Sequence, residues 1–527
     1  MPRAALMIIR TGVVLARLAL CLVPVLPTLA EEAGKERPGM PAEVAATLAR
    51  ITAQPRYTHS AWGYSVIDRA TGASLLDEAG DKFFVPGSIL KIFSAAAVLE
   101  AYGPEYRFRT KVYRTGALEN ALVLVASGDL SLGLRQRPDG SLAYHSAPEF
   151  DHTYANTGLR GPALIPGDPL AGLDRLAAQV RAAGIREILV DVVIDDRLFT
   201  PVSWPDGLIS PVWVNENRID ITITPTAPGR PAMIDWRPKT GAYTVESRVE
   251  TVAQGGDTTL TVDAPESGVF RVWGQIAEDQ GPVLRVGEIP DPAAFARTAF
   301  IEALRRADIR VNASATGPNP VHLLPPPGTY RDDRRVAEQV SAPLSEFIKL
   351  ILKASHSPGA DLMICLAAVK TGSRQCGNGL EWVSEMLTRH GVPGDSAFLF
   401  DGAGSDEHNR VTPRAVTTFL RAIDGLPYGS KFKQGLPVLG VDGTLAGHVG
   451  LSSAGRVLAK SGSRAWGIRD DHILVTGVAL AGYITARSGR EMVFTMMVRD
   501  VPILSPMDIT AIEADQVTLL TVIQQSY

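Results

Sequence analysis

Ser88 and Lys91, a serine and a lysine three positions apart, are residue types that together could carry out nucleophilic chemistry. They open the stretch SILKIFSAAAVLEAYG (88–103), which is rich in helix formers and ends at Gly103. On a helix this spacing places both side chains on one face. A serine is a weak nucleophile until a base takes its proton, and a lysine is such a base when burial or a second cation lowers its pKa. The pair predicts acyl transfer with Ser88 as nucleophile and Lys91 as base.

The Ser-x-x-Lys spacing is weak evidence by itself. Ser88 would also make an ordinary helix cap. A second pair of this kind, Ser430 and Lys433, lies in YGSKFKQGLP, which we interpret as a loop with no helix to hold it. Taken alone, the spacing favours a structural role for Ser88, so a catalytic role needs further groups.

A Lys-Ser/Thr-Gly triplet is a second component of such a site. On an edge strand its backbone can pair with a peptide substrate, while its lysine binds a carboxylate and lowers the pKa of a neighbouring lysine. The chain has three such triplets: Lys239-Thr240-Gly241, Lys370-Thr371-Gly372 and Lys460-Ser461-Gly462. Only the third ends a strand-like run, GRVLAKSGS, and leads into two further strand-like segments. We therefore predict that Lys460 belongs to the site.

The elements that must position these groups lie at both ends of the chain. Helical patterns and strand-like segments occur before about residue 110 and after about residue 340, and residues 61–76 predict a strand, a turn and a second strand. Apart from two helical stretches, the middle of the chain is dominated by short β-like runs separated by Gly, Pro and Asp. This pattern predicts one domain interrupted by a β-rich insertion. The predicted helices are 41–51, 88–103, 169–185, 292–309, 343–355, 359–369, 380–391 and 508–525.

Composition is that of a globular protein. The 527 residues suffice for about three domains at roughly 100–200 residues each. The formal net charge is −4, and no basic stripe stands out, so nucleic acid is not expected as a partner.

The first residues, 1–30, have the layout of a secretory signal. Two arginines precede an apolar run, and a small-residue step follows, with cleavage predicted after Ala30. This predicts a periplasmic protein. Arg17 interrupts the apolar run, and an uncleaved signal would leave a short anchor and weak membrane association.

Two cysteines remain beyond the signal, Cys365 and Cys376. In an oxidising compartment they could form a disulfide. Because Cys365 lies in an apolar helical stretch, we favour a buried core thiol. The two have no neighbouring His or Cys partner, which makes a poor metal site.

Further stretches extend the pattern well beyond the two motifs: FFVPGSILKIFSAAAVLEAYGPEYRFRTKV, LVASGDLSL, FDGAGSDEHNRVTP, LPVLGVDGTLAGH and VALAGYI. Together with the Ser88 and Lys460 motifs, in this order and with a long insertion between them, they resemble the penicillin-binding protein 4 type of D-alanyl-D-alanine carboxypeptidase/endopeptidase, peptidase family S13. The resemblance covers nearly the whole chain after the signal.

The resemblance implies an α/β fold: a penicillin-binding-protein/serine β-lactamase-like transpeptidase domain, with an antiparallel sheet and helices on both faces. This discontinuous domain would comprise residues 31–110 and 335–527. A β-rich region of two small domains, 111–334, would interrupt it. The implied activity is that of a serine DD-peptidase, which cleaves D-Ala-D-Ala as a carboxypeptidase and, where it also acts as an endopeptidase, peptide cross-links of peptidoglycan.

The resemblance also implies a role for each motif residue. Ser88 attacks the carbonyl of a peptidoglycan stem peptide, and Lys91 is its base. Lys460, Ser461 and Gly462 bind the substrate, with the lysine and the serine holding its terminal carboxylate, and the oxyanion lies between the backbone N–H groups of Ser88 and Ser463. β-Lactams would acylate the same serine as inhibitors. No metal or organic cofactor is implied.

The second motif of the family, Ser-x-Asn, is absent from the sequence. Its counterpart is Ser355-His356-Ser357. Ser355 keeps the hydroxyl that relays a proton to the leaving amine, whereas Ser357 replaces an amide that would reach further as donor and acceptor. We expect His356 to be exposed in a loop. A triplet in the insertion, Tyr154-Ala155-Asn156, resembles a tyrosine variant of this motif, and we interpret it as chance.

The missing asparagine keeps alternatives open. One is a penicillin-binding-like protein, catalytically impaired, that binds peptidoglycan or a partner without turnover. Another is a serine esterase or β-lactamase on the same fold, although no obvious deacylating Glu follows the second motif. Because the nucleophile, its lysine and the carboxylate clamp are all present, we favour the active peptidase.

Overall fold

The secondary structure is described for residues 39–115, 121–157, 161–469 and 472–527 of a computed structural model. The predicted signal, 1–30, and its cleavage site after Ala30 lie outside these ranges. Each predicted helix has a counterpart in the structure. The helices of the described residues are α1 (Ala42–Thr52), α2 (Lys91–Tyr102), α3 (Ala171–Ala182), α4 (Pro292–Arg306), α5 (Leu344–Lys353), α6 (Ser357–Lys370), α7 (Gly377–Arg389), α8 (Pro413–Asp424), α9 (Gly429–Gly435) and α10 (Asp508–Ser526).

Strands occur throughout the chain, and the predicted pair at 61–76 is the first two of them. The strands of the described residues are β1 (Ala61–Asp68), β2 (Ser74–Glu78), β3 (Arg107–Thr115), β4 (Ala121–Val125), β5 (Phe150–Asp151), β6 (Pro162–Ala163), β7 (Glu187–Ile188), β8 (Val192–Asp195), β9 (Val202–Trp204), β10 (Gly207–Ile209), β11 (Arg218–Thr224), β12 (Met233–Arg237), β13 (Thr244–Val252), β14 (Thr259–Glu266), β15 (Val269–Ala277), β16 (Val283–Glu288), β17 (Arg310–Val311), β18 (Arg335–Pro343), β19 (Ala397–Phe398), β20 (Arg410–Val411), β21 (Val457–Arg469), β22 (His472–Thr485), β23 (Glu491–Arg499) and β24 (Val501–Ile503).

The main sheet is built from both ends of the chain in the order β2-β1-β23-β22-β21, and neighbouring strands are antiparallel. Alternate residues of β22 face different layers: Ala479, Ala481 and Tyr483 belong to the core that contains α2 and α8, while α10 also contacts this strand. Strands covered on both faces are nearly continuously apolar, which explains the sequences VALAGYI and MVFTMMV. The predicted antiparallel sheet with helices on both faces is confirmed.

The middle of the chain forms further sheets. β3, β4, β8 and β18 make one sheet in the order β18-β3-β4-β8, and two three-stranded sheets follow, β12-β11-β16 and β13-β15-β14. A second hydrophobic core covers these strands together with α3 and α4. The chain from Pro41 to Tyr527 forms one compact unit. Its division into a peptidase domain (31–110 and 335–527) and an insertion (111–334) stays a prediction.

Two expectations about the helical segments outside the site are wrong. Cys365 and Cys376 form a disulfide, with their Cα atoms 4.1 Å apart, because α6 and α7 pack against each other and bring the start of α7 back beside Cys365. The stretch around Ser430 and Lys433 is the short helix α9 rather than a loop. Local periodicity did not show how either segment would be held by its neighbours.

Among the residues that the structure describes, no helix is both long and apolar enough to cross a bilayer.

Candidate active site

Ser88 and Lys91 lie where a short 3₁₀ turn, Gly87–Leu90, passes into α2. The Nζ of Lys91 is 2.6 Å from the Oγ of Ser88. Ser88 is only partly buried. No side chain caps the turn or the helix, which removes the alternative role of Ser88 as a cap. The sequence predicts Ser88 in the first turn of the helix 88–103. In the structure Ser88 belongs instead to the 3₁₀ turn just before α2.

Lys91 is fully buried. Its Nζ also donates a hydrogen bond of 2.9 Å to the carbonyl of Ala403. Burial lowers the pKa of Lys91, and the negative charges of Asp206, Asp361 and Asp401 act against that shift. A buried amine with a lowered pKa, in hydrogen-bond contact with a serine, is suited to accept the serine proton.

Burial also affects the carboxyl groups near Lys91. Asp361 is fully buried, and burial, followed by the charges of Asp401 and Asp206, raises its pKa well above the usual value. One of its oxygens accepts the N–H of Gly402 at 2.8 Å; the other, Oδ2, has no hydrogen-bond partner among the described residues. Burial thus shifts Asp361 toward its protonated form and weakens the negative charge that it can place beside Lys91.

The edge strand β21 brings the triplet Lys460-Ser461-Gly462 past the Ser88 turn. A Cβ on Gly462 would lie 2.6 Å from the backbone nitrogen of Ser88, and one on Gly87 would lie 2.7 Å from the backbone nitrogen of Ser463. Both positions need glycine because two stretches of main chain touch there, and Gly87 also has φ 51°. The main chains of Ser88 and Ser463 are thereby side by side, as an oxyanion site built from their N–H groups would require.

Lys460 is the second buried amine of the site. Its Nζ donates a hydrogen bond of 2.6 Å to the carbonyl of Ser461. Burial and then the charge of Lys91 hold the pKa of Lys460 well below its usual value, while Glu513 opposes the shift. The Oγ of Ser461 is 3.0 Å from the Oγ1 of Thr444.

Two of the stretches noted in the sequence form loops that contact the residues of the site. In FDGAGSDEHNRVTP, the carboxylate of Asp401 accepts N–H groups of Gly404, Ser405 and Asp406 and so shapes the loop that carries Ala403. A Cβ on Gly404 would lie 1.9 Å from the carbonyl oxygen of Gly87. This close approach fixes the loop against the nucleophile turn.

LPVLGVDGTLAGH forms the second supporting loop. Both carboxylate oxygens of Asp442 accept hydrogen bonds from Lys353 at the end of α5, at 2.7 and 2.6 Å. Two residues further along, Thr444 reaches Ser461. The loop thus ties α5, and with it the second motif, to β21.

The second motif connects α5 and α6. Ser355 and Ser357 are nearly buried, at 6% and 7% exposure. Ser355 has φ 58°, a left-handed conformation that is uncommon for a residue with a side chain. Ser357 lies one turn before Asp361 on α6, and Asp361 acts on Lys91. The motif therefore begins the helix that also faces the general base.

His356 is fully buried, so the expectation that it would be exposed is wrong. Its Nδ1 accepts the N–H of Gly359 at 3.0 Å and caps α6. The ring proton is therefore on Nε2, which donates to Glu216 at 2.8 Å. The partner comes from the middle of the chain, 140 positions away, and nothing near His356 in the sequence indicates it.

Tyr154 also reaches the second motif, a contact that its interpretation as a chance match does not include. Its hydroxyl donates a hydrogen bond to the carbonyl of Ser355. The triplet Tyr154-Ala155-Asn156 is the signal in the sequence that points to this residue, although it lies in the middle of the chain.

The two other Lys-Thr-Gly triplets and the second Ser-x-x-Lys pair lie elsewhere. Lys239 is exposed and pairs with Asp235 at 2.8 Å. Lys370 ends α6 and lies over the ring of Tyr102. Lys433 forms an ion pair with Asp424. The choice of Lys460 therefore agrees with the geometry.

A buried polar cluster adjoins the second motif. Glu216 is in contact with His356, His152 and Arg135, and three of the cluster's ligand-type groups lie within 4.8 Å of one another. The guanidinium and the imidazoles already occupy the carboxylate oxygens, so these residues fit an ion-pair network better than a metal site. We call the following residues the polar cluster: Arg135, Asp151, His152, Glu216, Asp220 and His356.

Comparison with known proteins agrees with this geometry. The model of the D-Ala-D-Ala carboxypeptidase 3 (S13) family matches residues 44–522. A D-alanyl-D-alanine carboxypeptidase of Actinomadura sp. (strain R39) is 28% identical over 513 residues, covering 91% of this chain and 84% of its own. The D-alanyl-D-alanine carboxypeptidase DacB of Haemophilus influenzae is 24% identical over 453 residues, covering 80% of this chain and 82% of its own.

Among solved structures, penicillin binding protein 4 (dacB) from H. influenzae has a TM-score of 0.68 at 20% identity, covering 91% of this chain and 99% of that chain. This likeness defines the class of fold, that of the penicillin-binding proteins, and confirms the fold predicted from the motifs. The chain belongs to the D-Ala-D-Ala carboxypeptidase 3 (S13) family, a family of serine peptidases. The resemblance stated from the sequence is confirmed.

Proposed function

We propose that this protein is a periplasmic serine DD-peptidase that cleaves the terminal D-Ala-D-Ala bond of peptidoglycan stem peptides and, as an endopeptidase, the peptide cross-links between them. The observation that carries the proposal is the 2.6 Å contact between the amine of Lys91 and the hydroxyl of Ser88. Relatives named D-alanyl-D-alanine carboxypeptidase, which match over most of the chain, support the choice of substrate. The family match does not favour a binding protein without turnover.

The reaction begins with acyl transfer to the enzyme. Lys91, as the neutral amine, takes the proton of Ser88 while Oγ attacks the carbonyl carbon of the penultimate D-Ala. The N–H groups of Ser88 and Ser463 stabilise the oxyanion; one such donor is worth about 3–4 kcal/mol. As the C–N bond breaks, the hydroxyl of Ser355 passes its proton to the leaving amine of D-Ala and receives the proton that Lys91 took from Ser88, so that Lys91 is again a neutral amine.

Recognition of the peptide end falls to β21. The ammonium of Lys460 and the hydroxyl of Ser461 bind the terminal carboxylate, and Gly462 lets the peptide backbone lie close along the strand edge. Ser357 lines the opposite side. Water then hydrolyses the ester on Ser88, with Lys91 as base. A β-lactam would acylate the same serine and so act as an inhibitor.

Localisation follows from the predicted signal. Export places the chain where peptidoglycan is, and retention of the signal would add weak membrane association. Neither nucleic acid nor a metal or organic cofactor has a part in this proposal.

The test is release of free D-Ala from a pentapeptide ending in D-Ala-D-Ala. The wild-type chain should release D-Ala, and Ser88→Ala should not. Ser430→Ala is the matched control, because it removes the serine of the second Ser-x-x-Lys pair, and it should stay active. A wild-type chain that is labelled by penicillin but releases no D-Ala would contradict the peptidase and favour the binding alternative.

A further inference from the structure

One side chain from the middle of the chain, Tyr154, contacts the second motif. Its hydroxyl donates to the main-chain carbonyl of Ser355, 201 positions away in the sequence. Burial raises the pKa of Tyr154 to about 12, and hydrogen bonding to Ser355 and then to Ser357 acts against that shift. Tyr154 is half-buried, so it reaches the altered motif without being sealed in the core.

The turn that carries Tyr154 is fixed on both sides. Before it, the carboxylate of Asp151 accepts two hydrogen bonds from the guanidinium of Arg135, at 2.9 and 2.6 Å, in a fully buried pair. After it, the amide of Asn156 donates to the carbonyl of Val286 at 2.8 Å and accepts its N–H at 3.1 Å. The hydroxyl is therefore held in place by its own surroundings and does not depend on the serines for its position.

Ser355 needs such a partner. A left-handed conformation at a serine persists only where the surroundings fix it. The hydrogen bond from Tyr154 holds the Ser355 carbonyl from one side, and Glu216 holds the adjacent His356 at 2.8 Å from the other. Two groups from the middle of the chain thus fix the backbone of the residue whose hydroxyl is proposed to relay a proton.

A phenol can also stand in for the lost amide. An asparagine at position 357 would offer a donor and an acceptor, and a tyrosine hydroxyl offers both as well. Having donated to the Ser355 carbonyl, the Tyr154 oxygen keeps lone pairs that can accept the O–H of Ser357. The shorter side chain of Ser357 leaves room for this contact, which the longer amide would take up.

We propose that Tyr154 is a positioning residue of the active site: its hydroxyl holds Ser355 and Ser357 in place and takes over the part that an asparagine at position 357 would play. The inference rests on the proposed peptidase function. It gives the middle of the chain a direct part in the site.

The test compares Tyr154→Phe with Tyr102→Phe. Tyr102 is a matched control because its hydroxyl also donates to a main-chain carbonyl, that of Leu366 at 2.8 Å, but from the far end of α2. For both variants, the acylation rate with a fluorescent penicillin, kcat and KM for D-Ala release, and the thermal transition are measured. We expect Tyr154→Phe to lower the acylation rate and kcat about tenfold, the effect of one hydrogen bond, at a thermal midpoint no lower than that of the control.

A rescue separates positioning from general packing. Adding Ser357→Asn to Tyr154→Phe restores an amide to the motif and should make acylation severalfold faster than in Tyr154→Phe alone, while Ser357→Asn in the wild-type background should bring no gain. An unchanged acylation rate in Tyr154→Phe, or a double variant no faster than Tyr154→Phe, would overturn the inference. If Tyr154→Phe does not fold, Ser357→Ala is measured in its place. A loss of about tenfold in its acylation rate supports the inference, and an acylation rate equal to that of wild type overturns it. A wild-type chain that penicillin does not label at Ser88 would end the proposed function itself and this inference with it.

Discussion

Lys460 and Lys91 are both fully buried, and the charge of Lys91 is, after burial, the second cause that holds the pKa of Lys460 well below its usual value. Two neighbouring buried amines cannot both carry a proton at little cost. One of them is thus ready to act as a base before substrate arrives. The carboxylate of a bound peptide would then favour the charged form of Lys460 and leave Lys91 as the neutral amine.

The pH dependence of acylation tests this relationship. Because the pKa of Lys91 is lowered from 10.5, the acylation rate of the wild-type chain should rise with pH through a midpoint below that value. Repulsion between two charges is mutual, so Lys460→Met should favour the protonated form of Lys91 and move the midpoint to higher pH. Penicillin acylation rates measured from pH 6 to 10 check both expectations. A midpoint that stays or falls in Lys460→Met would contradict the coupling.

Gly462→Ala should inactivate the site without unfolding it. The added Cβ would lie 2.6 Å from the backbone nitrogen of Ser88, so β21 must move away from the nucleophile turn, and a displacement of about 1 Å can lower a rate on the order of a hundredfold. Gly447→Ala is the matched control, because a Cβ there meets nothing within 4 Å. The two variants are compared by penicillin labelling at matched thermal midpoints, and we expect much weaker labelling of Gly462→Ala than of Gly447→Ala. Equal labelling would show that the close approach is unimportant.

Two buried aspartates should respond differently to the same substitution. Burial raises the pKa of Asp361 well above the usual value and so favours its uncharged form. The uncharged amide of Asp361→Asn should therefore acylate within about threefold of wild type, well under the factor of ten that corresponds to 1.4 kcal/mol. Asp401 accepts three backbone N–H groups of the loop that carries Ala403, and an amide cannot replace all of these, so Asp401→Asn should lose about tenfold or more. Acylation rates and thermal midpoints of both variants check this. A severe loss in Asp361→Asn would mean that its charge matters.

His152 should make the stability of the polar cluster depend on pH. Burial would lower its pKa, but the charges of Asp220 and Glu216 outweigh that effect and raise the pKa of His152 from 6.5 to about 9. The stabilisation is therefore fully present below about pH 6.5 and lost as pH rises through about 9, with a magnitude on the order of 3 kcal/mol. Thermal midpoints of wild type and His152→Gln at pH 6 and pH 10 should differ more at pH 6; a difference independent of pH would contradict the charged imidazole.

The sequence predicted what depends on local pattern. The helix at 88–103, the strand pair at 61–76 and the strand that carries Lys460 all follow from periodicity and from the segments beside them. The burial of His356 and the role of Tyr154 depend on contacts across 140 and 201 positions, and the disulfide depends on how α6 and α7 pack. The triplet around Tyr154 marks the residue but not its partner, and no local pattern indicates the partner of His356 or the disulfide, so these contacts appeared only in the structure.

The most direct test of the central claim is the site of covalent attachment of a penicillin. Intact mass followed by peptide mapping of the labelled wild-type chain should find one adduct, on Ser88, and the same adduct in Ser430→Ala. Ser88→Ala should remain unlabelled. An adduct on a different serine, or a folded wild-type chain that takes up no label, would contradict the assignment of Ser88 and Lys91 as nucleophile and base.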